Sequence, residues 1–144
     1  MKNTEEAKRL ILFFAKEFKK EKINWMLIGS GALVLHGVKV ISRDLDIVVN
    51  SDDLDKVALK FSKNIVKPII EYEWKGQKYR KFLMKIKEIE VEIIGQEVRE
   101  KTILVGLGDE MIRVNPLDDE LEFYKTREGK EGVVELIEKV LLQI

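Results

Sequence analysis

Between Asp44 and Val49 the chain alternates Asp44, Asp46 and Val48 with Leu45, Ile47 and Val49. A period of two predicts a β-strand with one fully apolar face, and it puts both aspartates on the opposite face. Carboxylates at i and i+2 of a strand project to the same side, so they repel each other unless a cation or a proton neutralises them. Any fold for this chain must therefore bury Leu45, Ile47 and Val49 and leave two acids together on the other side.

A second feature lies just upstream. The apolar run Ile23 to Ile28 ends at Gly29-Ser30-Gly31, and Ala32-Leu33-Val34-Leu35-His36 continues to Gly37, a helix-stopping position. This reads as strand, tight turn and short helix. A glycine at a strand end lets backbone approach phosphate closely, while the Ser30 hydroxyl and the following amides offer donors to phosphate oxygens.

The remaining elements follow from period and punctuation. Thr4 to Lys20 predicts an amphipathic helix with Thr4 as its N-cap, and Asn50-Ser51-Asp52 precedes a helix from about Asp53 to Lys63. Pro68 to Glu73, Tyr79 to Ile86 and Ile89 to Ile94 predict a strand meander turning at Gly76 and at Lys87-Glu88. Val98 to Leu104 and Met111 to Val114 read as short strands around a Gly106-Leu107-Gly108 turn. Pro116 opens a helix over Leu117 to Lys125, and Gly129 separates it from a last helix ending at Leu142. The expected fold is α/β (α+β), one domain over residues 1–144, with a mixed β-sheet, helices on one face, further C-terminal helices, and the other face partly open.

Composition narrows the chemistry. With no cysteine and one histidine, any metal site must be built from oxygens, which suits magnesium or manganese. A 45% hydrophobic, 36% charged chain without a spanning-length apolar run or a signal core predicts a soluble cytoplasmic protein. Its Lys and Glu richness resembles thermophile composition. The net charge is zero but uneven: Lys60 to Lys87 holds nine Lys or Arg against Glu71 and Glu73, interleaved with Tyr72, Trp74, Tyr79 and Phe82. Such a stretch can form a groove for RNA or a triphosphate, or serve as a solvated face beside a core face.

Gly29-Ser30, thirteen intervening residues and Asp44-Leu45-Asp46 resemble the signature of the nucleotidyltransferase superfamily, which includes kanamycin nucleotidyltransferase, poly(A) polymerases and DNA polymerase beta. The resemblance runs from about Asn24 to Gly95 and is to small stand-alone prokaryotic members. It implies transfer of a nucleoside monophosphate from a nucleoside triphosphate to a hydroxyl of a protein, an RNA or a small molecule. It implies Mg2+ or Mn2+ held by Asp44, Asp46 and a third acid on a neighbouring strand. Glu92 is the expected third acid, as metal ligand or general base, with Glu90 the alternative after a register shift of two. Gly29, Ser30 and Arg43 are expected at the phosphates, although Arg43 can equally damp the repulsion between the aspartates. His36 reads as a structural histidine. Lys130 sits where a basic residue near the helix junction can face the site in the resembled proteins, and otherwise is a surface lysine.

The resemblance also implies a helical protein partner, as in toxin–antitoxin pairs. A homodimer through Val133, Leu136, Ile137, Val140 and Leu141 is the other arrangement considered, against use of that stripe as internal core. Two rival readings remain open from the residues alone. One is a non-catalytic nucleotide- or partner-binding module of the same fold. The other is an RNA-binding protein that uses the basic aromatic stretch.

Overall fold

The computed structural model describes residues 2–144, with side chains from Thr4 onward. Helix α1 (Lys2–Lys20) leads into strand β1 (Trp25–Ile28), helix α2 (Gly29–Leu35) and strand β2 (Asp44–Asn50). Helix α3 (Leu54–Lys60) follows, then strands β3 (Ile65–Trp74), β4 (Gln77–Ile86), β5 (Ile89–Gln96), β6 (Ile103–Leu107) and β7 (Glu110–Val114). Helices α4 (Leu117–Lys125) and α5 (Glu131–Leu141) close the chain.

The seven strands form one sheet in the order β3-β4-β5-β2-β1-β7-β6. It is mixed. The β2–β5 and β1–β7 pairs are parallel, while β1–β2, β3–β4, β4–β5 and β6–β7 are antiparallel. The expected α/β architecture is observed, with a seven-stranded sheet and five helices.

Alternation decides which face is covered. Leu45, Ile47 and Val49 of β2, Val91 and Ile93 of β5, and Phe82 and Met84 of β4 pack with Ala7, Ile11, Phe14 and Phe18 of α1 and with Leu54 and Val57 of α3. Phe14 and Phe18 stack at 5.5 Å, and Phe61 meets Phe14 edge to face at 5.6 Å. This is the main core. The C-terminal helices do not lie on it. They pack on α2, where Leu33 and Val38 meet Leu117 and Ile137. Gly31 permits this close seating of α2, because a Cβ there would come within 2.9 Å of Leu45. The opposite sheet face holds only a small cluster of Met26, Val48 and Ile94, with Ile28, Tyr72 and Val98 against it.

Several expected boundaries move. Helix α1 begins at Lys2, so Thr4 lies inside its first turn and does not cap it. Helix α3 stops at Lys60 and is flanked by single 3-10 turns at Ser51–Asp53 and Ser62–Asn64. Asn50 precedes the first of these turns but makes no side-chain capping bond to it; its Oδ1 accepts from the Val98 amide at 2.9 Å. The expected strand from Val98 to Leu104 is displaced: β6 starts at Ile103 and contains Gly106 and Leu107, and the turn falls at Gly108-Asp109 between the paired Leu107 and Glu110. A glycine lacks a side chain to reveal which way a strand is facing, so Gly106 read as punctuation when it is strand. Pro68 sits in edge strand β3, within an irregular stretch between Lys67 and Ile70, where its missing N–H is tolerated.

The two hairpin turns of the meander show how little glycine is needed. Lys75-Gly76 and Lys87-Glu88 both take positive φ at both positions, 51° and 77° in the first and 49° and 69° in the second. Two-residue connections of that handedness match the twist of the flanking strands.

Candidate active site

The parallel pairing of β2 and β5 sets the site. Asp46 lies directly beside Glu92, and Asp44 beside Glu90. All four project from the face opposite the main core. The same pairing distinguishes the two candidates for the third acid: Glu92 is half-buried next to Asp46, whereas Glu90 is exposed at the strand's outer end.

On the other side of β2, the antiparallel pairing with β1 puts Ile28 opposite Asp46, which brings the turn after β1 onto the acid. Gly29 is required there twice over. Its φ is +70°, and a Cβ would lie 2.7 Å from Asp46 Oδ2. The Asp46 carboxyl is thus wedged between the glycine turn and Glu92. Burial first, and then the charges of Asp44, Glu92 and Glu120, push its pKa up to about 7, with Lys81 opposing.

The turn is tied to the strand by hydroxyls. Ser42 is buried and donates to the Asp44 carbonyl at 2.9 Å, and its Oγ lies 3.0 Å from Ser30 Oγ. Ser30 is also 3.3 Å from the same carbonyl. A hydroxyl has one proton, so Ser30 must release this contact before it can donate to a phosphate. Arg43, between Ser42 and Asp44, is exposed.

Beneath the turn is a feature the sequence reading missed. Glu120 of α4 is 2% exposed. Its Oε2 accepts from the Gly29 amide at 3.1 Å and from Asn115 Nδ2 at 2.6 Å, while Oε1 has no hydrogen-bond partner among the described residues. Burial raises its pKa, and the bonds from Asn115 and Gly29 oppose that rise. Asn115 is the hub of this network: its backbone N–H donates to the Leu27 carbonyl, its Oδ1 accepts from Arg99, and its backbone carbonyl oxygen lies 2.8 Å from His36 Nε2. His36 therefore has the structural role expected of it.

A signal for Glu120 was present. Leu117, Glu120, Leu121 and Tyr124 fall at helical spacing on one face, so the acid had to point inward with the apolar residues. Tyr124 reaches the same region. Its phenol pKa is pushed up to about 12, chiefly by burial and then by the charges of Glu120, Asp46 and Asp44. Lys130 is exposed at the N-terminal boundary of α5.

Chemically, the site gathers only oxygen donors. Among the described residues no three acidic or histidine side chains already converge as a metal cage. Glu92 is drawn instead to Lys81, whose Nζ is 3.3 Å from Oε2. The residues nevertheless fit a hard divalent cation: Asp44, Asp46 and Glu92 share one face of adjacent strands, and the pKa of Asp46 is lifted first by burial and then by the carboxylates around it, whose charge a cation would neutralise.

No family model matches the chain, and no curated protein matches it. Solved structures do. A Thermotoga maritima protein provisionally named a nucleotidyltransferase superposes with a TM-score of 0.71 at 23% identity, covering 94% of this chain and 92% of that one. An antigenic nucleotidyltransferase-like protein of Paracoccidioides brasiliensis gives 0.60 at 14% identity over 96% and 77% of the two chains. The antibiotic-resistance factor ANT(2'')-Ia gives 0.61 at 10% identity over 98% and 85%. The chain has a nucleotidyltransferase-like fold.

Proposed function

We propose that this protein transfers a nucleoside monophosphate from a nucleoside triphosphate to a hydroxyl acceptor. The observation that carries the reading is the register that sets Glu92 beside Asp46 on parallel strands, with the bare Cα of Gly29 against the same carboxyl. A neighbouring structure with the same fold is provisionally named a nucleotidyltransferase, which supports the reaction class.

Asp44, Asp46 and Glu92 would hold Mg2+ or Mn2+. Such an ion, when bound, supplies charge neutralisation for the triphosphate and a lowered pKa for the attacking hydroxyl. The protein's own groups do the rest. The Gly29-Ser30 turn lets backbone approach the phosphates, and Arg43 is exposed beside them to pair with an oxygen. The acceptor oxygen bonds to the α-phosphorus, the bond to the β-phosphate oxygen breaks, and pyrophosphate leaves. The hydroxyl proton passes to a carboxylate, with Glu92 the candidate. Glu120 and Asn115 hold the turn.

One observation favours a second reading, nucleotide binding without turnover. Glu92 is already satisfied by Lys81, and an acid that never leaves its lysine cannot serve as ligand or base.

The stripe of α5 considered for dimerisation is used internally, with Ile137 buried and Val133, Leu136, Val140 and Leu141 packed around Leu33 and Leu117. A second subunit or a helical partner protein, as in a toxin–antitoxin pair, would dock away from that stripe.

The test is calorimetric titration of each nucleoside triphosphate with magnesium into the wild type and an Asp44→Asn, Asp46→Asn double variant, paired with release of labelled pyrophosphate. Metal-dependent binding that disappears in the variant, with pyrophosphate release, supports transfer. Binding without release supports the second reading. Absence of binding in the wild type sinks both.

A further inference from the structure

The basic aromatic stretch had two readings in the sequence, and the strand register separates its residues by face. Phe82 is 2% exposed in the main core. Tyr72 and Tyr79 are cross-strand partners, and Trp74 pairs with Gln77. By the alternation of β3 and β4, those three aromatics lie on the opposite face, the one that carries Asp44, Asp46 and Glu92. Their rings form a continuous row: Tyr72 and Tyr79 are 5.8 Å apart, and Trp74 is 6.5 Å from Tyr79. Trp74 is 43% exposed and Ile70, on the same face, 51%.

Charge is sorted the same way. The only acids of β3 and β4 are Glu71 and Glu73, which pair in register with Arg80 and Lys78 on the covered side. Lys67, Lys81 and Lys85 share the aromatic side. Lys81 joins the two halves of that face, because its Nζ is 4.8 Å from the Tyr72 ring and 3.3 Å from Glu92. Lys75, in the hairpin turn, lies 4.5 Å from the Trp74 ring. The helices pack elsewhere, α1 and α3 on the other face and α4 and α5 on α2.

We propose that this row binds the unpaired bases of a single-stranded nucleic acid, with Tyr72, Tyr79 and Trp74 as stacking surfaces and Lys67, Lys75 and Lys81 at the phosphates, and that the strand's terminal hydroxyl is the acceptor. The chemistry fits one occupant. A row of one exposed and two half-exposed rings rimmed by cations suits a polyanion that carries flat faces. A duplex hides those faces and would engage the lysines alone. Bases that take the ring faces displace Lys75 and Lys81 to the edge, where backbone phosphates run. Continuity with the acids then points one end of the strand at Asp46. The acceptor role rests on the transfer reading above; the stacking does not.

The experiment measures fluorescence anisotropy of a labelled single-stranded RNA oligonucleotide and of a duplex of the same length, without nucleotide. The wild type should bind the single strand more tightly than the duplex. The Tyr72→Ala, Trp74→Ala, Tyr79→Ala triple variant should lose roughly 100-fold in affinity, at about 1 kcal/mol or more per stacked base. Replacement of the same three by Phe should restore most of it, and the Asp44→Asn, Asp46→Asn variant, which removes acids beside the strand's end, should bind no more weakly than the wild type. These side chains are outside the main core, and circular dichroism would confirm that each variant is folded. Equal binding of duplex and single strand, or no loss in the alanine variant, overturns the proposal. Adding a nucleoside triphosphate and magnesium then reads strand extension. Oligonucleotide binding without metal-dependent nucleotide binding overturns the transfer reading and leaves the platform standing; pyrophosphate release with no oligonucleotide binding does the reverse.

Discussion

The two faces of the sheet are built from the same strands, and alternate residues of β2, β4 and β5 serve opposite ends. One face is closed by α1 and α3 over Leu45, Ile47, Phe82, Met84, Val91 and Ile93, all nearly or fully buried. The other places Asp44, Asp46, Glu92, Lys81, Tyr72 and Tyr79 where solvent and ligand reach them. The closed face gains free energy by burying apolar area. The open face spends some of it, half-burying a carboxyl beside like charges, so that burial first and the neighbouring acids second push the Asp46 pKa to about 7. A sheet of period two lets one chain do both without the demands interfering, because a substitution on one side leaves the other side's packing untouched.

The largest expected break in that symmetry is functional. Asn at both Asp44 and Asp46 removes the paired carboxylates without changing their size. Turnover should fall by about 10^3-fold or more, the loss of several kcal/mol of transition-state stabilisation. Measured by pyrophosphate release, a fall of less than tenfold would mean that these acids do not carry the chemistry. The closed face should answer the other way. Phe14→Ala empties a site that stacks on Phe18 and meets Phe61, and should cost about 3–5 kcal/mol by denaturant unfolding. Turnover per folded molecule should stay near wild type.

A smaller effect separates the faces by pH. The folded state holds Asp46 with a raised pKa, so its protonated form is favoured in the fold. Below pH 3.8 both folded and unfolded states are protonated there and the group contributes nothing. As pH rises toward 7 the unfolded chain ionises first, and the fold loses stability, fully so above pH 7. Asp46→Asn should remove this dependence. The variant should be more stable than the wild type at pH 8, by about 2 kcal/mol after allowance for partial solvent contact, and equal to it well below pH 3.8. Thermal melts that show no gain at pH 8 would mean that the carboxyl is not held against Gly29 and Glu92 as described. Magnesium, if it binds, should shrink the difference.

The comparison also explains what the sequence could and could not reveal. Alternation exposed β2 and its two acids, because strand period and sheet face are local properties; it put Glu90 and Glu92 on one face alike, and the choice of Glu92 between them came from the resemblance. Helix α4, opened by Pro116, was legible to the residue for the same reason. The register of β6 was not, because Gly106 has no side chain to mark a face and Ile103 and Leu104 are both exposed. Glu120 was missed because its partners, Gly29 and Asn115, come from β1's turn and the end of β7, and no local pattern announces a hydrogen bond across 91 residues. Its inward position on α4 was readable; its target was not. The aromatic row was visible as composition, but which side it faced depended on the register of β3 against β4, where the irregular stretch around Pro68 intervenes.

The smallest test uses two adjacent residues of β4 that point to opposite sides. Arg80 makes a bidentate pair with Asp55 of α3 at 2.9 and 3.1 Å on the covered side, and Lys81 pairs with Glu92 at 3.3 Å on the open side. Both bridges are partly exposed, so neither is worth much as a stabiliser, and Met at either position should change unfolding free energy by less than about 1 kcal/mol. They should part company in ligand binding. Arg80→Met should leave magnesium affinity unchanged. Lys81→Met removes the cation that competes for Glu92, and should tighten magnesium binding by a few-fold in titrations with the metal alone. The same affinity in both variants would show that Glu92 is not a metal ligand, and the open face would then hold its third acid for Lys81 and for whatever Lys81 meets.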